Sequence, residues 1–94
     1  MDIFEVILSD RAKDELIPLP THIVFKLQVW INGVKLNGLR KMRKVPGFHD
    51  EPLKGKRKGQ RSIRLNKAYR AFYIIKQNDI MEFVEVSEVN KHEY

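Results

Sequence analysis

Two consecutive apolar runs near the C-terminus, residues 69–76 and 80–88, constrain the fold more than any other feature of the chain. The first is strongly apolar, and in the second apolar and polar side chains alternate, as they do in half-buried strands. Residues 60–65 form a third run of this kind, and the short polar segments 66–68 and 77–79 separate the three. Because short turns connect antiparallel neighbours, this pattern predicts a small antiparallel sheet.

The N-terminal half has the pattern of one strand followed by two helices. Residues 4–8 are β-rich, and Ser9 or Asp10 can cap a short helix that must stop before Pro18. A longer helix follows from Thr21, and its apolar residues recur at helical spacing on a wide face. The residues that we assign to the core from this helix are Ile23, Phe25, Leu27, Trp30, Ile31 and Val34.

The middle of the chain is less regular. Gly38 can end the longer helix, and residues 39–44 fit either a helical continuation or a loop. Residues 48–59 form a polar connector that leads into the strands. The order β-α-α-β-β-β therefore predicts an α+β fold with a small antiparallel sheet and two helices packed on one of its faces. The other face is left free as a concave binding surface.

The chain has 94 residues and no cysteine, so it must fold on a small core without disulfide bonds. With 43% hydrophobic and 32% charged residues, we expect one globular domain, residues 1–94. The lack of cysteine also excludes a thiolate zinc site and a cysteine nucleophile. No apolar run approaches the roughly 20 residues that span a bilayer. Residues 1–5 are acidic and lack a signal peptide's pattern, so we expect a cytoplasmic protein without a membrane partner.

The net charge of +6 is unevenly distributed. Residues 40–76 contain 13 basic and 2 acidic side chains and carry a net charge of +11. The preceding residues carry −1, and residues 77–94 carry −4. Apolar and aromatic residues are interleaved with the charges, which argues against a disordered basic tail. The block therefore predicts a folded surface that binds a polyanion, most simply RNA or DNA.

The segment PLKGKRKGQRSIRLNKAYRAFY, residues 52–73, and the chain end VNKHEY resemble the RelE/ParE toxin superfamily, most closely its HigB-like branch. The resemblance implies a RelE-like toxin of a type II toxin–antitoxin pair that enters the ribosomal A site and cleaves mRNA there. The 2′-hydroxyl of the scissile nucleotide attacks the phosphate, so the implied endoribonuclease (mRNA interferase) needs no metal or other cofactor. The implied partners are a HigA-like antitoxin, the ribosome and mRNA, with operator DNA bound only through the toxin–antitoxin complex.

Arg64 and Arg70 are the candidate phosphate clamps, mainly because of this resemblance. An arginine presents a planar fork of donors that matches phosphate oxygens. Their relation depends on the turn between them. A three-residue loop places Arg64 opposite Arg70, whereas a two-residue loop places Arg64 opposite Tyr69. Arg70 could instead pair with a carboxylate such as Glu82 or Glu85.

The remaining candidates attract RNA or transfer protons. His92 is the leading acid/base residue because its ordinary pKa lies near neutral pH, and Tyr94 could stack on a base or supply a hydroxyl. Relatives have a histidine directly before the P-L-K-G proline, where this chain has Glu51, so His49, Glu51 and the loop lysines stay open as alternatives. Tyr69 could stack on a base or fill the core. The predicted RNA-binding residues are Lys54, Lys56, Arg57, Lys58, Arg61 and Tyr69.

The sequence leaves two alternatives to a metal-independent ribonuclease. The three histidines are widely separated and no H-E-x-x-H motif is present, so the sequence predicts no metal site. A non-catalytic inhibitor of DNA gyrase, as in the ParE branch, is the second hypothesis. A basic nucleic-acid-binding domain without toxicity is the third. The set Arg64, Arg70 and His92 favours the ribonuclease.

Overall fold

The computed structural model describes residues 2–91 and shows a five-stranded sheet covered by helices. The predicted α+β class is confirmed. The helices are α1 (Asp10–Leu16), α2 (Thr21–Asn37) and α3 (Leu39–Arg43), and two 3₁₀ turns span Pro46–Phe48 and Gly55–Arg57. The strands are β1 (Val6–Leu8), β2 (Glu51–Pro52), β3 (Arg61–Arg64), β4 (Tyr69–Gln77) and β5 (Glu82–Lys91).

The sheet is mixed, with strand order β1-β5-β4-β3-β2, and so differs from the fully antiparallel sheet that the sequence predicts. β1 pairs with β5 in parallel, while β5, β4, β3 and β2 are antiparallel neighbours. A parallel pair needs a long crossover connection, and here the helices and three other strands intervene between β1 and β5. The short strand β2 lies within the predicted polar connector and pairs with β3.

The helix boundaries follow from their caps. The Ser9 hydroxyl accepts a hydrogen bond from the backbone N–H of Ala12 at 3.0 Å, so Ser9 rather than Asp10 is the N-cap of α1. α2 ends where Gly38 adopts φ +91°, a conformation that favours glycine. The chain then turns into the separate helix α3, which settles the open assignment of residues 39–44. None of the helices within residues 2–91 is long and apolar enough to cross a membrane.

The core lies between α2 and one face of the sheet. The rings of Trp30 and Tyr73 pack with their centroids 5.1 Å apart at its centre. Phe25 is 67% exposed, so its assignment to the core was wrong. Phe25 lies two residues from both Ile23 and Leu27, and a two-residue step rotates about 200° around a helix, which turns its side chain toward solvent. The buried residues contributed by α2 are Ile23, Leu27, Trp30, Ile31 and Val34.

A β-bulge in β5 decides which of its side chains face the core. Tyr73 of β4 lies opposite Val86, but its neighbour Phe72 lies opposite Glu88, so Ser87 is the extra residue. Strict alternation would place Glu88 on the same side as Val86. The bulge moves Glu88 to the opposite, helix-free face and brings Val89 into the core.

α1 covers part of the edge of β5. β1 pairs only with residues 84–86, so the β5 edge beyond it would be exposed. Glu15 of α1 accepts a hydrogen bond from the Val89 N–H at 3.0 Å, and the Ser9 hydroxyl donates to the Ser87 carbonyl at 2.9 Å. These contacts satisfy backbone groups that would otherwise be open to another strand.

Two leucines of α2 provide a matched test of this core. Leu27 is 1% exposed and Leu36 is 79% exposed. We expect Leu27→Ala to lower the free energy of unfolding by roughly 2–5 kcal/mol, because it removes buried methyl groups and leaves a cavity. Leu36→Ala should change it by less than about 0.5 kcal/mol. Urea unfolding followed by circular dichroism measures both, and equal losses would contradict the packing of α2.

Candidate nucleic-acid interface

The helix-free face of the sheet carries two rows of side chains. Residues that lie opposite each other on neighbouring strands project to the same side of a sheet. The first row, across β3, β4 and β5, is Arg64, Arg70 and Asn90. The second row begins on β2 and is Glu51, Ser62, Phe72 and Glu88. We call this helix-free surface the open face. It is less free than the sequence predicts, because Ser62, Arg70, Phe72 and Glu88 on it are buried, and the Arg57 guanidinium covers the Phe72 ring.

The β3–β4 turn sets the position of the two candidate clamps. The Asn66 side-chain oxygen accepts hydrogen bonds from the backbone N–H groups of Ala68 and Tyr69, both at 2.8 Å. This closes the three-residue loop and places Arg64 directly opposite Arg70. The longer of the two loop alternatives is therefore the one that the structure contains.

The environment of Arg70 is unusual for a cation. Arg70 is only 8% exposed. Its Nη1 atom is buried and has no hydrogen-bond partner within residues 2–91. No carboxylate of that part of the chain forms an ion pair with Arg64 or Arg70, including the suggested partners Glu82 and Glu85. Opposed like charges and a buried unpaired donor are both unfavourable. An anion bound beside the two arginines would relieve the repulsion between them.

Arg57 connects the basic loop, residues 54–59, to the open face through contacts with Glu88 and Phe72. Its guanidinium lies over the Phe72 ring, 4.3 Å from the centroid, and donates to both oxygens of Glu88 at 2.9 and 3.1 Å. Asn90 donates to Glu88 at 2.8 Å, and Arg11 of α1 lies 3.4 Å from the same carboxylate. The predicted role of Arg57 in binding RNA stays a prediction, but its guanidinium already has a partner.

The ion pair shifts the pKa values of both Arg57 and Glu88. The hydrogen bonds from Arg57 lower the pKa of Glu88 from its usual 4.5, and burial opposes this only in part. The hydrogen bonds to Glu88 likewise raise the pKa of Arg57. The charged pair is thus the stable form near neutral pH.

Arg61 points to the other side of the sheet. It lies opposite Tyr73, whose ring is in the core, so it is on the helix-covered side and not beside Arg64 and Arg70. Its Nε donates to the Asp50 carboxylate at 2.7 Å, and the Tyr73 hydroxyl donates to the other Asp50 oxygen at 2.7 Å. Burial lowers the pKa of Arg61, but its hydrogen bond to Asp50, together with the charge of Asp50 and the neighbouring Tyr73, outweighs this and the net shift is upward. Burial raises the pKa of Tyr73 strongly.

His49 and Glu51 come together at the edge of the open face. Glu51 lies in the second row, opposite Ser62, and one of its carboxylate oxygens is 3.4 Å from His49 Nε2. Both side chains are about half exposed. Two of the alternative proton-transfer residues are therefore neighbours on the same surface as Arg64 and Arg70.

The other predicted site residues are distributed as follows. Lys54, Lys56 and Lys58 are exposed in the basic loop, where Gly55 and Gly59 adopt positive φ. Tyr69 packs partly against the core. His92 and Tyr94 lie outside the described residues. Within residues 2–91, no group of three or more acidic, histidine or cysteine side chains is placed to hold a metal ion.

Comparison with solved structures identifies the fold. A YoeB/ParE toxin from Agrobacterium tumefaciens is 20% identical and superposes with a TM-score of 0.68 over 95% of this chain and 99% of its own. YafQ from E. coli gives 13% identity and a TM-score of 0.72 over 94% and 92% of the two chains. The toxin–antitoxin complex RelBE2 from Mycobacterium tuberculosis gives 21% and 0.67 over 96% and 99%.

This chain has the RelE/YoeB-type toxin fold. The sequence itself matches no family model and no curated protein. The solved neighbours therefore confirm the predicted superfamily fold, while the HigB-like branch stays a prediction.

On this RelE/YoeB-type scaffold, two carboxylates that the sequence pattern did not single out, Glu88 and Asp50, organise the site. Glu88 appeared as one member of an alternating strand, and Asp50 as part of a polar connector. Their partners are 31 residues away for Glu88 and Arg57, and 11 and 23 residues away for Asp50 with Arg61 and Tyr73. The one available signal was that Asp50 lies within a strongly basic block, and no such signal marked Glu88.

The Arg57–Glu88 pair predicts a pH-dependent stability. Because the pKa of Glu88 is lowered in the folded chain, its contribution is present above its usual value of 4.5 and is lost as the pH falls through the lowered pKa. We expect Glu88→Gln to lower the free energy of unfolding by roughly 1–3 kcal/mol at pH 7. This difference from the unsubstituted protein should shrink at pH 3.

Urea unfolding at the two pH values measures this effect. Glu82→Gln is the matched control, because Glu82 is exposed on the same strand. A deficit of Glu88→Gln that is the same at pH 7 and pH 3 would show that the carboxylate charge is not what stabilises the loop.

Proposed function

We propose that this protein is the toxin of a type II toxin–antitoxin pair and cleaves mRNA on the ribosome. The observation that carries the proposal is the juxtaposition of Arg64 and Arg70 on the open face, with Nη1 of Arg70 buried and unpaired within residues 2–91. The RelE/YoeB-type fold and the motifs of residues 52–73 support it.

The proposed reaction uses a nucleophile from the substrate. The 2′-oxygen of the scissile nucleotide attacks the adjacent phosphorus, and the bond from phosphorus to the 5′-oxygen of the next nucleotide breaks. Negative charge grows on the phosphoryl oxygens in the transition state, where Arg64 and Arg70 would bind them. The products are a 2′,3′-cyclic phosphate and a 5′-hydroxyl.

Two protons must move in this reaction. A base removes the 2′-hydroxyl proton, and an acid donates one to the leaving 5′-oxygen. Glu51 and His49 are an acid/base couple on the arginine-bearing face, and a carboxylate beside an imidazole can serve both roles. His92 keeps its predicted role as the leading acid/base residue of the sequence, and Tyr94 its predicted role of stacking on a base or supplying a hydroxyl.

An acidic antitoxin segment is the proposed partner in the absence of RNA. Residues 40–76 carry a net charge of +11, and Lys54, Lys56 and Lys58 lie exposed within them. The solved neighbours include the RelBE2 and DinJ-YafQ toxin–antitoxin complexes. The sequence resemblance further implies that the antitoxin is HigA-like. It also implies that operator DNA is bound only through the toxin–antitoxin complex.

Substitutions of the two arginines test the proposed reaction. We expect Arg64→Ala and Arg70→Ala each to reduce the cleavage rate on ribosomes by roughly 10²–10³-fold, because each removes a donor to the transition-state charge. Lys67→Ala is the matched control, since Lys67 is an exposed cation in the turn between them. Primer extension on message from cells that express each variant measures cleavage.

The ends of the products test the mechanism. A 2′,3′-cyclic or 3′-phosphate with a 5′-hydroxyl is the expected pair. A 5′-phosphate would rule out attack by the 2′-hydroxyl. Growth arrest without message cleavage, accompanied by a DNA-damage response, would instead favour a gyrase inhibitor. No effect on growth would favour a plain nucleic-acid-binding domain.

Substitutions in the basic loop test its role in binding the ribosome. We expect Lys56→Gln with Lys58→Gln to flatten the dependence of ribosome affinity on salt. The slope of log affinity against log salt should fall by up to about 1.4, since each single-strand phosphate contact contributes roughly 0.7. Lys13→Gln with Lys35→Gln removes the same charge from exposed positions on α1 and α2. Equal changes in both double variants would assign the effect to net charge rather than to the loop.

A further inference from the structure

Asp50 is a carboxylate buried in the connector between α3 and β3. Its side chain has 0% exposure, and each oxygen accepts a hydrogen bond of 2.7 Å, one from Arg61 Nε and one from the Tyr73 hydroxyl. Burying a carboxylate is unfavourable unless its oxygens are paired. These two bonds therefore hold Asp50 in one place, and with it the backbone of the connector.

The partners of Asp50 connect it to the most rigid part of the molecule. Tyr73 is almost completely buried in the centre of β4, and its ring packs against Trp30 of α2. Its hydroxyl accepts a hydrogen bond from Arg43 Nε of α3 at 3.4 Å. Arg61 belongs to β3. Asp50 is thus fixed from the core, from α3 and from the neighbouring strand together.

The residues on either side of Asp50 are the acid/base couple of the open face. Successive side chains of an extended chain point to opposite sides, so a buried Asp50 directs Glu51 toward the open face. His49 precedes it with φ +46°, a left-handed conformation that is strained for a non-glycine residue. β2 has only two residues, Glu51 and Pro52, and proline cannot donate to the strand ladder. Strand pairing alone is a weak restraint here.

We infer that Asp50 is a positioning residue, which directs Glu51 and His49 toward the phosphate held by Arg64 and Arg70. Asp50 itself lies on the helix-covered side and touches no substrate. The inference rests on the proposed function for the role of Glu51 and His49. It also gives Arg61 a role, since its Nε–H group holds one Asp50 oxygen from the helix-covered side.

Kinetics of cleavage on ribosomes test the inference. We expect Asp50→Ala to lower kcat by roughly 10²-fold, because small displacements of reacting groups have effects of this size. KM should change little, since the arginines and the basic loop are untouched. Tyr73→Phe removes one of the two bonds and keeps the ring, so it should lower kcat less. Asp50→Asn keeps the size and an acceptor for Arg61, and should restore most of the loss.

Val34→Ala is the control for a general loss of stability, because Val34 is fully buried in α2 and distant in sequence from the connector. Measured below the melting temperature of every variant, it should leave kcat unchanged. An unchanged kcat in folded Asp50→Ala, or in Tyr73→Phe if Asp50→Ala does not fold, would overturn the inference.

A double-mutant cycle separates positioning from damage to the fold. If Asp50 acts through Glu51, then Asp50→Ala added to Glu51→Gln should lower kcat little further. Full additivity of the two losses would overturn the inference, as would an unchanged kcat in Glu51→Gln alone.

Hydrogen exchange keeps this test separate from the proposed function. Asp50→Ala should speed amide exchange at residues 49–51 while β4 and β5 stay protected, whether or not the protein cleaves RNA. Faster exchange in a protein without ribonuclease activity would overturn the proposed function and leave the anchoring role of Asp50. Unchanged exchange would overturn the anchoring itself.

Discussion

The register of the β3–β4 hairpin is the constraint on which both faces of the sheet depend. Asn66 closes the turn through two backbone N–H groups and so places Arg64 opposite Arg70 and Arg61 opposite Tyr73. In a strand, a slip of one residue moves every side chain to the other face. Such a slip would bring the arginines into the core and expose the apolar residues. One short turn therefore fixes the core and the candidate site together.

The sequence predicted those features that depend on neighbouring residues. Alternation and apolar runs predicted β3, β4 and β5, helical spacing predicted the buried face of α2, and loop length gave two alternatives of which one is present. The parallel pairing of β1 with β5 could not be predicted in this way, because it joins residues that are 78 positions apart, such as Val6 and Val84. The bulge at Ser87 left no local signal either, and it reverses the side on which Glu88 lies.

For the same reason, the sequence did not show which basic residues are already paired. A count of charged residues gives the net charge of residues 40–76. It does not distinguish a cation that is already paired from one that faces solvent. Arg57 and Arg61 are held by Glu88 and Asp50, whereas Lys54, Lys56 and Lys58 are exposed. The two acidic residues within the block, Asp50 and Glu51, are separated by one step of the chain and lie on opposite sides of the sheet. One fixes the connector, and the other is available to the open face.

β4 connects the core to the open face, because its side chains alternate between the two. Ala71 and Tyr73 point into the core, and Arg70 and Phe72, which alternate with them, point to the open face. The unfavourable placement of Arg70 opposite Arg64 is opposed by apolar burial on the other side of the same strand. A shift of the Arg70 backbone would also move Tyr73, which packs on Trp30 and binds Asp50. The two arginines are thus kept opposite each other on neighbouring strands, where no carboxylate of the described part of the chain forms an ion pair with either.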